Sequence, residues 1–177
     1  MALDKHTLLF DVRRSVRYHD RRVYFFERWH SVTSVLTILL SGSVLLQIAG
    51  DSFEPPFWLR LISFSAAILA SIDMVISYSK MADLHKRLKR RYCELEICIV
   101  SAKSAKELDG CHSERLSIEI DEPPVYRALD LLCRNELMSA MGYETDEADY
   151  RELSLFKRLT CHLHTWPDIG RKIKRRP

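Results

Sequence analysis

The chain has 177 residues, 47% of them apolar and 29% charged, with 27 Lys and Arg against 24 Asp and Glu for a net charge of +3. That composition excludes a disulfide-rich secreted module and a low-complexity chain. The crowding of apolar residues into two runs between 31 and 79 excludes a soluble enzyme domain built on one continuous core. What remains is a small membrane protein with a substantial water-facing part, all-α in class.

Residues 1–30 begin too polar for a cleavable signal: the apolar stretch starts late, follows many arginines and is long for a signal core. They read instead as a cytoplasmic amphipathic helix, because Leu9, Val12, Val16, His19, Val23, Phe26 and His30 recur at alternating spacings of three and four. The next segment, SVTSVLTILLSGSVLLQIAG at 31–50, carries no charge over twenty residues. At helical rise it reaches about 30 Å, the thickness of a bilayer core. Residues 58–79, WLRLISFSAAILASIDMVISYS, have the same reach, with Arg60 near the boundary and Asp73 deeper. The pair predicts a transmembrane hairpin with a short external turn at 51–57, where Pro55 and Pro56 end any continuous helix.

Orientation follows from charge. Lys5, Arg13, Arg14, Arg17, Arg21, Arg22 and Arg28 precede the first run, and Lys80, Lys86, Arg87, Lys89, Arg90 and Arg91 follow the second, whereas the turn region offers only Arg60. Positive charge stays on the cytoplasmic side, so both termini are expected there. Phe53, Phe57 and Trp58 fall at the outer interface, and Tyr24, Trp29 and Tyr78 near the inner one.

After the second run an apolar stripe recurs at Met81, Leu84, Leu88, Arg91, Leu95, Cys98 and Ala102, so residues 80–108 are expected to pack antiparallel on the first helix as a stalk. Residues 109–123 read as a linker, with an extended segment around Leu116 to Ile120. From 124 to 177 the pattern predicts two further helices and a basic tail. Pro124 opens the first, which carries Val125, Ala128, Leu129, Leu132, Leu137 and Met141 and stops at Gly142. Asp146 or Asp149 caps the second, which carries Leu153, Phe156, Leu159 and Leu163 and ends before Pro167. Such short helices are expected to dock on the stalk or on a neighbouring subunit.

No phosphate loop, HExxH, GxSxG or functional carboxylate pair occurs, which points away from an enzyme and from a cofactor. Cys93, Cys98, Cys111, Cys133 and Cys161 form no CxxC, and most of them are expected to be core residues or inert thiols in a reducing compartment; Cys161, His162 and His164 lack the spacing of a metal site. The membrane segments hold the sharper signal. Ser34, Thr37 and Ser41 share a stripe of the first span, and Ser63, Ala66, Ala70, Asp73 and Ser77 share one on the second. Small and hydroxyl residues let helices approach and bond across. Asp73 lies roughly 10 Å inside the cytoplasmic edge, where a carboxylate must face protein or water. It is therefore either neutralised, paired structurally with a hydroxyl such as that of Thr37, or lines an aqueous path with Ser34, Thr37, Ser41, Ser63 and Ser77. One hairpin cannot enclose a pore, so pore lining requires a homo-oligomer. His19 and His30 interrupt the stalk stripe as pH-sensitive candidates. Arg171, Lys172, Lys174, Arg175 and Arg176 form a basic tail whose expected partner is anionic lipid headgroups of the bilayer, ahead of nucleic acid.

The basic, aromatic approach RRSVRYHDRRVYFFERWH at Arg13 to His30, the tight hairpin and the long helical continuation together resemble the SLATT-type two-transmembrane proteins over residues 11 to about 108. The resemblance implies an inner-membrane effector of a prokaryotic or phage conflict system, paired with a nucleotide-signalling or other cytoplasmic partner, that oligomerises into a depolarising pore. The other expectation is a non-conducting adaptor or exclusion protein that recruits a cytoplasmic partner through its stalk.

Overall fold

The computed structural model describes residues 4–48, 57–142, 153–166 and 169. Its regular structure is helical throughout, in the order α1 (Lys5–Ile48), α2 (Phe57–Ile76), α3 (Tyr78–Ser101), α4 (Ala105–Ile120), α5 (Arg127–Ala140) and α6 (Leu155–Thr160). No strand occurs among the described residues. Two compact units result: Met1–Arg22 with His85–Pro177, and Val23–Leu84.

In the first unit the start of α1 runs antiparallel to α3. Lys5 Nζ donates to the carbonyls of Val100 at 3.0 Å and Ala102 at 2.9 Å, satisfying acceptors that the end of α3 leaves without helical partners. Arg13 meets Glu96 at 2.7 Å and Lys89 meets Asp20 at 2.6 Å, in the same opposed register. The seam differs from the sequence expectation by one position. In the first unit α3 buries His85, Leu88, Tyr92, Leu95 and Ile99, whereas Arg91 and Cys98 fall outside. Arg91 instead reaches Asp121 at 2.6 Å and Glu114 at 3.3 Å. The physical reason is aromatic: the shifted register buries the Tyr92 ring and leaves a guanidinium in water.

The expected linker at 109–123 is corrected: residues 109–120 are helix, the larger part of α4. Ser104 is the N-cap and its hydroxyl accepts from the Glu107 amide, while the Glu107 carboxylate accepts from the Lys103 amide at 2.8 Å. This is a capping-box exchange, worth about 1 kcal/mol, and it outweighs the local cost of Gly110, whose surroundings are open. Leu108, Cys111 and Ile118 are the buried face, so the segment around Leu116 to Ile120 is helical rather than extended. Cys98 and Cys111 are joined by a disulfide between α3 and α4, correcting their reading as thiols; the short turn between the helices sets their Cα atoms 6.4 Å apart, within bonding range.

α5 and the residues on either side of α6 dock on α1 of the same chain. Tyr18 is buried in one cluster with Ala128, Leu129, Leu132, Cys133, Leu153 and Cys161. Arginines of α1 fix this packing: Arg14 meets Asp130 at 3.1 Å, Arg21 pairs with Glu136, and buried Arg22 stacks on the Tyr126 ring at 4.3 Å while donating to the His162 carbonyl at 2.8 Å. α5 ends at Gly142, whose φ of 76° supplies the left-handed residue that closes a helix. Ser154 caps α6 through the Lys157 amide. The proposed caps Asp146 and Asp149 lie outside the described residues.

In the second unit Phe26, Tyr78 and Ala82 form an apolar cluster, and Thr33 and Ala66 are also buried. Among the described residues one helical stretch, Arg60–Ser101, is long and apolar enough to cross a membrane; its most apolar window has a mean hydropathy of 1.8 and is 6% buried. The first expected span is helical as far as Ile48, and the turn at 51–56, with Phe53, Pro55 and Pro56, lies outside the described residues. α2 and α3 meet at Ser77, whose φ of 51° is left-handed and costs a non-glycine residue about 1–2 kcal/mol. The backbone bonds Ser77 N to Asp73 O at 2.8 Å and Met81 N to Ser77 O at 3.1 Å carry the chain through this break.

Candidate functional site

Two sites carry ionisable groups in unusual settings, one in each unit. The first is a buried polar network between α1, α3 and the segment after α4. His19, 1% exposed, directs Nδ1 at Nδ1 of fully buried His85 at 2.8 Å and Nε2 at Glu122 Oε1 at 3.0 Å. Tyr92 donates its hydroxyl to the same Glu122 oxygen at 2.6 Å and stacks on the His19 ring at 5.5 Å. Tyr18 closes the far side, its hydroxyl accepting from the Tyr126 amide at 3.1 Å. A cleft of ≈ 300 Å³ opens on the network, lined by Arg14, Ser15, Tyr18, His19, Glu119, Glu122, Val125 and Asp130.

The geometry limits the protons this network can hold. Two facing imidazole nitrogens at 2.8 Å share one hydrogen, and two N–H groups cannot point at each other. Burial, reinforced by His19 and Arg22, pushes the pKa of His85 down to about 3, so His85 is the neutral partner. Burial alone would raise Glu122, but hydrogen bonds from His19 and Tyr92 more than offset it and hold the carboxyl below its usual range. Ionised Glu122 keeps a hydrogen on His19 Nε2. Tyr18 is pushed up to about 12 by burial, Tyr92 is raised by burial and then by Glu122, and burial raises Asp130 despite Arg14. The network is thus one carboxylate satisfied by two donors, with one hydrogen between the facing histidine nitrogens.

The second site lies in the Val23–Leu84 unit. His30 Nδ1 stands 3.4 Å from Asp73 Oδ1, a long contact, with the side chains 45% and 30% exposed. Of the remaining candidates, Ser34, Thr37, Ser63 and Ser77 are half-buried and Ser41 is exposed. Asp73 therefore takes His30, not the Thr37 hydroxyl, as its partner. Ser77 donates its hydroxyl to the Met74 carbonyl at 3.0 Å. Exposed Ser65 and Ser71 likewise donate back to Leu61 and Ala67, at 2.8 and 2.7 Å, which lets them face an apolar medium. The tail residues Arg171, Lys172, Lys174, Arg175 and Arg176 lie outside the described residues.

His19 and His30 fall in different sites, although the same periodic stripe pointed to both. Sequence reasoning missed His85, Tyr92 and Glu122. The signal for the first two was present: Tyr78, Ala82, His85, Leu88, Tyr92, Leu95 and Ile99 form an alternative apolar stripe with a histidine as its one polar member. Glu122 had no local signal, since it reaches the network only because α4 brings it there. No group of His, Cys, Asp and Glu among the described residues could hold a metal ion. Comparison with protein-family models, curated proteins and solved structures returned no match.

Proposed function

We propose that the chain is an integral inner-membrane effector, anchored by a two-helix hairpin at 31–50 and 58–79 with both termini cytoplasmic, and that copies associate to form or gate a path across the bilayer. The observation that carries this reading is the His30–Asp73 pair, two ionisable groups held together beside a helix that otherwise presents apolar side chains outward, Met74 and Val75 each 83% exposed. An ionisable group in such a segment is costly to keep and is by default a candidate for a transport or gating role. The resemblance of residues 11–108 to SLATT-type effectors points the same way. Ser34, Thr37, Ser41, Ser63 and Ser77 would line the path, and a cytoplasmic protein or nucleotide signal would act through the first unit.

A non-conducting adaptor is the second reading, and the same contact favours it: an Asp73 satisfied by His30 within one chain needs no aqueous path. Membrane potential in bacteria expressing the chain separates them. An effector depolarises the cell and loses that action with Asp73→Asn while insertion persists. An adaptor leaves the potential unchanged and depends on residues 124–177 for capturing its partner.

A further inference from the structure

The end of the described chain carries an apolar face that the fold does not use. Leu155, Phe156, Leu159 and Leu163 are 77%, 65%, 80% and 66% exposed, whereas Leu153 and Ile169 nearby are buried and Trp166 is half-buried. At 100° per residue the three on α6 fall within roughly 100° of arc, a single face rather than a scatter. Arg158 is exposed at one flank, and Lys157 lies over the Trp166 ring at 5.5 Å, with Phe156 edge-on to the same ring at 6.0 Å. The sequence beyond adds Arg171, Lys172, Lys174, Arg175 and Arg176 within seven residues and no acid after Asp168.

We propose that this face is a peripheral membrane-binding element: Leu155, Phe156, Leu159 and Leu163 enter the interfacial layer of an anionic leaflet while Arg158 and the basic tail engage its headgroups. The choice of occupant rests on charge complementarity. An apolar face flanked and followed by cations matches a surface with a negative potential and an apolar interior, where each Lys or Arg contributes about 1 kcal/mol near the surface. The proposal builds on the membrane anchorage above, which keeps this element within reach of a leaflet. Function follows from the coupling: Leu153 and Cys161, on either side of α6, share a buried cluster with Tyr18 and α5, so leaflet composition is felt by the packing on α1.

The test uses the full chain in nanodiscs of phosphatidylcholine alone or mixed with phosphatidylglycerol. A fluorophore at Leu163→Cys, in a Cys93→Ser background, reports quenching by spin-labelled lipid. A second readout needs no substitution at all: tryptic cleavage after Lys157 and Arg158. Quenching about twofold or more higher in anionic discs, reversed by high salt or by Leu159→Glu, together with protection from trypsin, is the expected result. Equal quenching and equal cleavage in both lipids would overturn the proposal. So would protection that depends on two copies per disc and not on lipid charge. Carbonate-resistant incorporation tests the hairpin separately, because a chain that binds anionic vesicles only from outside keeps this element and loses the anchor.

Discussion

Mild acid should loosen the first unit, and His85 sets much of the slope. Its ordinary pKa of 6.5 falls to about 3 in the fold, so below 6.5 the unfolded chain binds a proton that the folded chain refuses. The stabilisation is complete above 6.5 and is lost progressively as the pH falls toward 3. One pKa unit corresponds to about 1.4 kcal/mol, so lowering the pH to about 5 costs about 2 kcal/mol through His85 alone. His162, pushed down to about 4 by burial and by Arg22 and Arg21, adds a parallel loss over the same window. Glu122, held low, contributes a further loss only as the pH falls below its ordinary value, and Asp130, held high, works in the opposite sense as the pH falls toward its own ordinary value. Urea unfolding followed by Trp166 emission, with Trp29 and Trp58 replaced by Phe, measures the effect. His85→Gln keeps an amide facing His19 and removes the titration, so its loss between pH 6.5 and about 5 should be smaller than wild type by about 2 kcal/mol. Equal losses in the two proteins would refute the neutral buried histidine.

Three further outcomes follow from named contacts. Ser77→Gly relieves the left-handed strain and should be neutral or stabilising by up to about 1 kcal/mol, whereas Ser77→Val should destabilise by at least that much; thermal unfolding in detergent distinguishes them. Tyr92→Phe removes one of the two donors to the Glu122 carboxylate and should cost about 1.5–3 kcal/mol by the urea assay. In the native protein Cys133, its thiol pushed up to about 12 by burial, and Cys161, also raised, should resist maleimide, while half-buried Cys93 reacts; mass spectrometry of labelled peptides reads this directly.

The helical class was legible because long apolar and amphipathic stretches announce helices without tertiary help. The antiparallel packing of α1 on α3 was also legible, since Val12 and His19 recur at helical spacing. Register was not: two stripes one position apart competed on α3, and only the partner surface selects the one that buries His85 and Tyr92 over the one that would bury Arg91. α4 was hidden because Gly110 and the polar run after it resemble a loop, while the capping pair Ser104 and Glu107 sits upstream of the segment being judged. Asp73 was visible as a lone acid in an apolar helix, yet its partner was not, because His30 lies 43 residues away and a pairing at that distance is a property of the fold.

Ion flux through the purified chain in liposomes is the most direct test of the central claim. Wild-type protein should dissipate an imposed potassium potential with a rate that rises more steeply than linearly with the number of copies per vesicle, and Asp73→Asn should abolish the flux while incorporation is unchanged. Intact potential across vesicles that contain many correctly inserted wild-type copies would contradict a conducting oligomer.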